Sequence, residues 1–321
     1  MADIPLTDRN PPLGPTAIAL CLLTAALWGG TPVAISFSVD ELPPVAVAAI
    51  RFAMAAGFML VWCRWEGSRL ALPAGQRWLA FAGGGLLFFQ IWFFNLGVAW
   101  SNSSHGSVLI NTFVLWVVAI EHFITAESRL TATKAGGLAA AAAGGLILIL
   151  LAERPAGGTS ALDEPTLAGD LVLLASAAIL GVKIVFTRHA VRKIPPSAFI
   201  FWHDVVGVAL FAAWSLAFED VTLRTLEPST VLGLLYQGLV VAGFCFAVQA
   251  MLLRRHSASQ ISIFSTATPL FGIVLAALFR GDRLSPWLLA SGVCVAGGIL
   301  LVNVSREGDQ PFRRIPPSQP L

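Results

Sequence analysis

The chain reads as an all-α polytopic membrane protein, with ten transmembrane helices arranged as two inverted five-helix repeats. Three observations predict this. Charged residues make up 12% of the 321 residues against 56% hydrophobic, about half the charge of an ordinary soluble domain. Apolar runs of the roughly 20 residues needed to cross a bilayer core recur along its whole length. Polar details of the first half also return in the second, about 150 residues later.

In chain order, the first span lies in the uncharged run Asn10–Val39. Pro44–Trp65 follows around Arg51, then the uncharged Trp78–Ala99, then Gly106–Ile124, which closes on Glu121 and His122. Ala135–Ala152 completes five. The second set runs Gly169–Ala190 around Lys183, Pro196–Phe218 around His203 and Asp204, and three uncharged runs, Pro228–Leu253, Ser257–Phe279 and Leu284–Ser305. Connections this short leave no polar shell to cover ten such segments in water.

Five spans is an odd number, so a second copy must enter the membrane from the opposite face. Sliding the chain by 152 places Pro43–Pro44 on Pro195–Pro196, Gly29 on Gly181, Thr31 on Lys183 and Arg51 on His203. A slide of 154 places Asn95 on Gln249, Asn111 on Ser265, Thr112 on Thr266 and Arg129–Leu130 on Arg283–Leu284. Matching polar residues weigh more than matching Leu or Ala, because each is costly in hydrocarbon. Inverted copies meeting around a midplane site are a transporter's architecture.

Orientation follows from Lys and Arg, which stay on the cytoplasmic side. With the N-terminus inside, the tails and inner loops hold fourteen of the 20 basic residues, and the outer loops hold only Arg154, Arg224, Arg280 and Arg283. Both termini are expected in the cytoplasm, as in a multi-pass inner-membrane protein. The first fifteen residues, with Asp3, Asp8, Arg9 and four prolines, lack the pattern of a signal peptide, so the first span is expected to be retained. The net charge of +2 reflects topology, and no basic patch with interleaved aromatics points to nucleic acid. Cys21, Cys63, Cys245 and Cys294 fall inside spans without disulfide or metal-ligand spacing. The Asn102-Ser103-Ser104 glycosylation match sits in a tiny loop and reads as chance.

Leu27-Trp28-Gly29-Gly30-Thr31-Pro32, Pro43-Pro44 through Arg51-Phe52, and Thr268-Pro269 with Asp282-Arg283-Leu284-Ser285 before a Gly-rich last helix resemble the EamA-type drug/metabolite transporters. The likeness covers residues 16 to 304. It implies a ten-helix inverted-repeat carrier, most of whose kind export metabolites, amino acids or toxic compounds without a nucleotide-binding subunit. The organisation expected is a cytoplasmic tail at 1–15, EamA-like repeats at 16–152 and 169–304, an external linker at 153–168 and a second cytoplasmic tail at 305–321. Two residues depart from the family pattern. Leu115 replaces the proline that Pro269 supplies in the second half, which removes the basis for a bend in the fourth helix, and an acidic residue comes one place early, as Glu127.

The Gly29-Gly30-Thr31-Pro32 element predicts a kink, since Pro32 has no N–H to donate and glycine relaxes sterics. Lys183 and Asp204 are each about ten residues from the hairpin centre at Lys193-Ile194, hence at similar depth, about 10–15 Å from the inner face. They read equally as a structural ion pair and as a proton or substrate-charge site beside His203. Arg51 could hold a substrate carboxylate, pair with an acid of the other half, or snorkel outward. Asn95, Asn111 and Thr112 form an outer polar layer and Gln249, Ser265 and Thr266 an inner one, either bracing helices or lining the path. Gln90 and Trp92, among Phe88, Phe89, Phe93 and Phe94, offer an aromatic wall with one polar handle. Trp28 lies deep and Thr31 opposes Arg51, whereas Trp62, Trp65, Trp78 and Trp100 read as interface anchors.

The substrate-site candidates are therefore Trp28, Thr31, Arg51, Gln90, Trp92, Asn95, Asn111, Lys183, His203, Asp204, Gln249 and Ser265. The function expected is secondary-active export of small metabolites such as amino acids, aromatic or amphipathic ones included. Multidrug or cation efflux on the same fold, and a sensor or scaffold, are the alternatives. No His-Glu-x-x-His or Gly-x-Ser-x-Gly motif supports a membrane enzyme, and no cofactor or metal is expected. The expected partners are a small-molecule substrate and the lipid bilayer, with homodimerisation left open.

Overall fold

A computed structural model describes residues 13–124, 131–151, 165–221, 225–255 and 263–308. Glu127, Arg129–Leu130, most of the linker and most of both tails lie outside the described residues. Among those described there are no strands and ten apolar helices. These are α1 (Pro15–Val39), α2 (Pro44–Glu66), α3 (Ala74–Trp100), α4 (Ser103–Ile120), α5 (Ala132–Leu151), α6 (Leu167–Val191), α7 (Pro196–Phe218), α8 (Pro228–Gln249), α9 (Phe264–Arg280) and α10 (Pro286–Val302). The first eight are long and apolar enough to cross a membrane.

Proline starts many of them. Pro15, Pro44, Pro196 and Pro228 occupy the first helical turn, where the missing N–H would have no intrahelical partner anyway. Gly67 and Gly281, at φ of 73° and 71°, end α2 and α9 in the left-handed conformation that glycine adopts without steric cost.

The helix pairings between halves reveal a pseudo-two-fold axis. Under it, α1 to α5 exchange with α6 to α10. Helix α2 packs on its own mate α7, α4 on α9 and α5 on α10. The larger remaining contacts come in mirrored pairs: α3 on α6 as α8 on α1, α3 on α7 as α8 on α2, and α4 on α6 as α9 on α1. Helices α5 and α10 approach closely along their backbones: a Cβ added to Gly298 would lie 2.5 Å from the Gly137 carbonyl oxygen and 2.6 Å from the Ala141 nitrogen. Only glycine permits that spacing, as small residues do in membrane helix pairs.

Large apolar side chains such as Leu150, Leu216, Phe218, Leu278 and Val293 face outward, while Arg51, Gln90, Lys183, His203 and Asp204 are buried. That polarity suits a lipid surround. Trp65, Trp78 and Trp100 are exposed at helix ends, as interface anchors must be.

Backbone irregularity concentrates in three helices and at one further position. Helix α1 breaks between Pro15–Gly29 and Thr31–Val39, at the expected kink. Helix α8 is π-helical over Tyr236–Cys245, a conformation that is rare and frequent at functional sites. Helix α4 tightens to a 3₁₀ turn at Ile110–Thr112, and another such turn, Ile263–Ala267, leads into α9. The 154-residue shift superimposes these two turns. The 3₁₀ turn in α4 thus forms without a proline, since it precedes Leu115.

Candidate functional site

Helices α2, α3, α6, α7 and α8 converge on a buried charged centre. Lys183 on α6 donates from Nζ to Gln90 Oε1 on α3 at 3.1 Å, with the ammonium 5.8 Å from the Phe246 ring centroid. Gln90 is itself fixed: its Nε2 donates to Ser176 Oγ at 3.2 Å, and Ser176 Oγ donates back to the Gln90 carbonyl at 2.8 Å. On α7, His203 Nδ1 lies 2.9 Å from Asp204 Oδ1, while the other carboxylate oxygen, Oδ2, has no partner. Arg51 on α2 is 2% exposed, and its Nε and Nη1 have no partner either.

Arg51, Lys183 and Asp204 lie close enough to interact electrostatically, as do Arg51 and Cys245 of α8. Lys183 and Asp204 do not bond each other directly: Lys183 bonds Gln90, and Asp204 Oδ1 lies against His203. Two basic side chains thus share a buried centre with one carboxyl group, and buried donors that lack acceptors cost several kcal/mol on the order-of-magnitude scale of such groups.

The other candidates scatter around this core. Trp28 stands with its ring 6.4 Å from that of Phe246, beside Lys183. Thr31 is buried at the α1 break with its hydroxyl unpartnered. Trp92 belongs to an aromatic chain instead: Phe52 stacks on Phe211 at 5.7 Å, Phe211 meets Phe88 at 5.3 Å, and Phe88 leads through Trp92 to Trp214. Those rings fill the contact between α3 and α7.

Asn95 donates to the Pro44 carbonyl at 2.8 Å and Asn111 to the Ser107 carbonyl of its own helix at 2.7 Å, so both brace backbone. Asn95 Oδ1 has no partner. Gln249 and Ser265 are only half-buried and are not among the groups that meet at the charged centre.

Sequence reasoning missed Ser176, Phe246 and Tyr236. A lone serine in an apolar helix carries no signal by itself, but Tyr236 is the chain's single tyrosine. Its hydroxyl donates to the Leu27 carbonyl at 2.5 Å, where the α1 break loosens the backbone ladder. Gln237 adds bonds from Nε2 to the Ala34 carbonyl at 3.0 Å and to Ser38 Oγ at 2.9 Å.

The bundle end bearing the α1–α2, α3–α4 and α9–α10 turns is tied across the halves by carboxylates. Arg280 pairs with Asp40 at 2.7 Å; Asp282 Oδ2 accepts from Ser104 Oγ at 2.6 Å and Ser104 N at 3.0 Å. Glu219 accepts from Val45 N and Ala46 N, both at 2.9 Å, capping the N-terminus of α2 where negative charge is favoured. Asp170 accepts from Ser101 Oγ at 2.7 Å and lies 2.9 Å from His105 Nδ1. Asn102 Oδ1 caps α4 by accepting from His105 N at 2.8 Å, which gives that asparagine a structural reason. A cavity of about 90 Å³ among Asp40, Ser101, Ser103, Arg280 and Asp282 remains at this end. At the opposite end, side-chain bonds between halves include Ser197 Oγ to Ser68 Oγ at 2.9 Å and Trp202 Nε1 to the Leu70 carbonyl at 2.7 Å.

Comparison with known proteins gives these features a family. An uncharacterized transporter of Archaeoglobus fulgidus is 22% identical over 294 residues, covering 90% of this chain and 97% of that one. Proteins named probable amino-acid metabolite efflux pumps, from Salmonella typhimurium and Escherichia coli, are 25% and 24% identical, each covering 89% of this chain and 93% of its own length. A solved crystal structure shares the fold with a TM-score of 0.68 at 19% identity, covering 90% of this chain and 99% of that chain. The family model described as the EamA-like transporter family matches twice, at residues 15–151 and 167–304, once for each half of the pseudo-symmetric bundle. The chain is a multi-pass membrane transporter, not an enzyme, and it belongs to the EamA-like transporter family.

Proposed function

We propose that this protein is a secondary-active exporter of small metabolites such as amino acids, working by alternating access between its two five-helix halves. The observation that carries this reading is Arg51, buried with unpartnered donors beside Lys183 and Asp204. A guanidinium in that state is completed by an anionic group, and a carboxylate fits its donor geometry. The relatives named as amino-acid metabolite efflux pumps support the same substrate class.

In this reading both termini are cytoplasmic, and the carboxylate-tied end is the outer gate in its closed state. Opening it breaks Arg280–Asp40 and the Asp282 bonds, which the halves can exchange for water. Each half contributes charges to the centre, so one chain is the unit of transport. The excess of positive charge argues against efflux of cationic drugs. The Phe88–Trp92–Trp214 chain is consumed in helix packing and gives no preference for aromatic solutes.

Counterflow in proteoliposomes tests the proposal. Vesicles loaded with unlabelled amino acid should accumulate its labelled form above protein-free controls. Failure with every amino acid, together with accumulation of a lipophilic cation such as tetraphenylphosphonium, would replace amino-acid export with cation efflux.

A further inference from the structure

We propose that the charged centre selects acidic amino acids, substrates bearing two carboxylates and one ammonium, and that Lys183 sets this preference. The inference rests on the carrier reading above and names the substrate class of the same site. Its basis is the pattern of hydrogen-bonding capacity left open in the middle of the bundle. Arg51 offers Nε and Nη1, both buried and unpartnered. Lys183 has three ammonium donors and uses one on Gln90, leaving two. Asp204 offers Oδ2, buried and unpartnered, while His203 holds Oδ1.

The open set is therefore two cationic donors and one anionic acceptor. Its complement is two carboxylates and one ammonium, which an acidic amino acid carries on a single small skeleton. A neutral amino acid satisfies Arg51 and Asp204 but leaves one positive charge in a water-poor site without a counter-ion. A dicarboxylate without an amine satisfies both cations yet faces Asp204 with nothing to donate.

Lys183 is positioned for this role. Gln90, locked by its two bonds with Ser176, holds the ammonium in one place. Phe246 flanks it and Trp28 stands next to Phe246, which keeps the charge away from lipid and water. In the first repeat the equivalent position is Thr31, an uncharged residue, so the extra cation belongs to one half alone.

Counterflow in proteoliposomes with labelled L-aspartate, L-leucine and succinate, each at the same low concentration, tests the proposal. L-Aspartate should exchange at least about tenfold faster than either of the others, the factor that about 1.4 kcal/mol of binding selectivity supplies. Lys183→Gln should bring the aspartate-to-leucine ratio down toward one, and Lys183→Arg should preserve it, with monodisperse elution of both variants showing that they fold. Leucine or succinate exchanging as fast as aspartate would overturn the proposal while leaving the carrier reading intact. An unchanged ratio in folded Lys183→Gln would remove Lys183 from the selectivity. Exchange of none of the three in the wild type would overturn the proposal, and the carrier reading would fall with it only if every other amino acid also failed to exchange.

Discussion

The α3–α6 and α8–α1 contacts are the same interface twice, related by the pseudo-two-fold axis, and they have been put to opposite uses. On the first, both helices are regular: α3 is α-helical over Arg77–Trp100 and α6 over Leu167–Val191. Across it runs the fixed network of Ser176, Gln90 and Lys183. On the second, α1 is broken at Gly30 and α8 is π-helical over Tyr236–Cys245, and the polar contacts include Tyr236 to Leu27, Gln237 to Ala34 and Ser38, and Thr230 to Phe37. The regular copy holds a charge in place. The irregular copy holds a weakened backbone together through side chains, which is where a moving joint can be built.

The largest expected effect falls on the regular interface. Gln90→Leu leaves Lys183 buried without its acceptor, a loss of about 1.5–3 kcal/mol for a hydrogen bond to a charged group. Initial counterflow rate at low substrate should drop by about ten- to a hundredfold, with normal insertion; a wild-type rate would mean that the network does not serve the site.

A smaller effect is expected on the irregular copy. Tyr236→Phe removes one hydroxyl, worth about 1 kcal/mol, from a joint and not from the site. Maximal rate should change several-fold with half-saturation unmoved, and the reverse split would place Tyr236 among the substrate contacts. The smallest effect concerns the repeat mates α4 and α9, whose 3₁₀ turns coincide. Leu115→Pro falls in the first turn of the Phe113–Phe123 segment and should shift stability by under about 1 kcal/mol. Val118→Pro, deeper in that segment, should cost about 3 kcal/mol. Thermal melts of the purified variants separate the two, and equal losses would mean that the 3₁₀ turn of α4 does not end before Phe113.

Much of this architecture was legible in the residues. Long uncharged runs located the helices because hydrocarbon tolerates little else, and the recurrence of Pro43–Pro44 and Asn95 exposed the duplication. The kink was written in Gly29-Gly30-Thr31-Pro32. The 3₁₀ turn of α4 was not, since such a turn needs no distinctive side chain. The same limit hid the π-helical stretch of α8, which is composed of ordinary apolar residues.

At the site, helical rise converts position into height and so puts Lys183 and Asp204 at similar depth, but it leaves open whether Arg51 joins them. Partner choice was less visible. Rotation about the axis decides that Lys183 meets Gln90 and not Asp204, and that Trp92 turns into the aromatic chain, and neither angle follows from spacing along a uniformly apolar helix.

Cys245 offers the most direct test of alternating access to the charged centre. It is fully buried at the end of the π-helical stretch, next in sequence to Phe246, whose ring faces Lys183. With Cys21, Cys63 and Cys294 replaced by serine, maleimide labelling of Cys245 should be measured in oriented vesicles from each side. Labelling from both faces, slowed from both by L-aspartate, is the predicted result. Labelling from one face alone, whatever solute is supplied, would contradict a passage that opens to each side in turn.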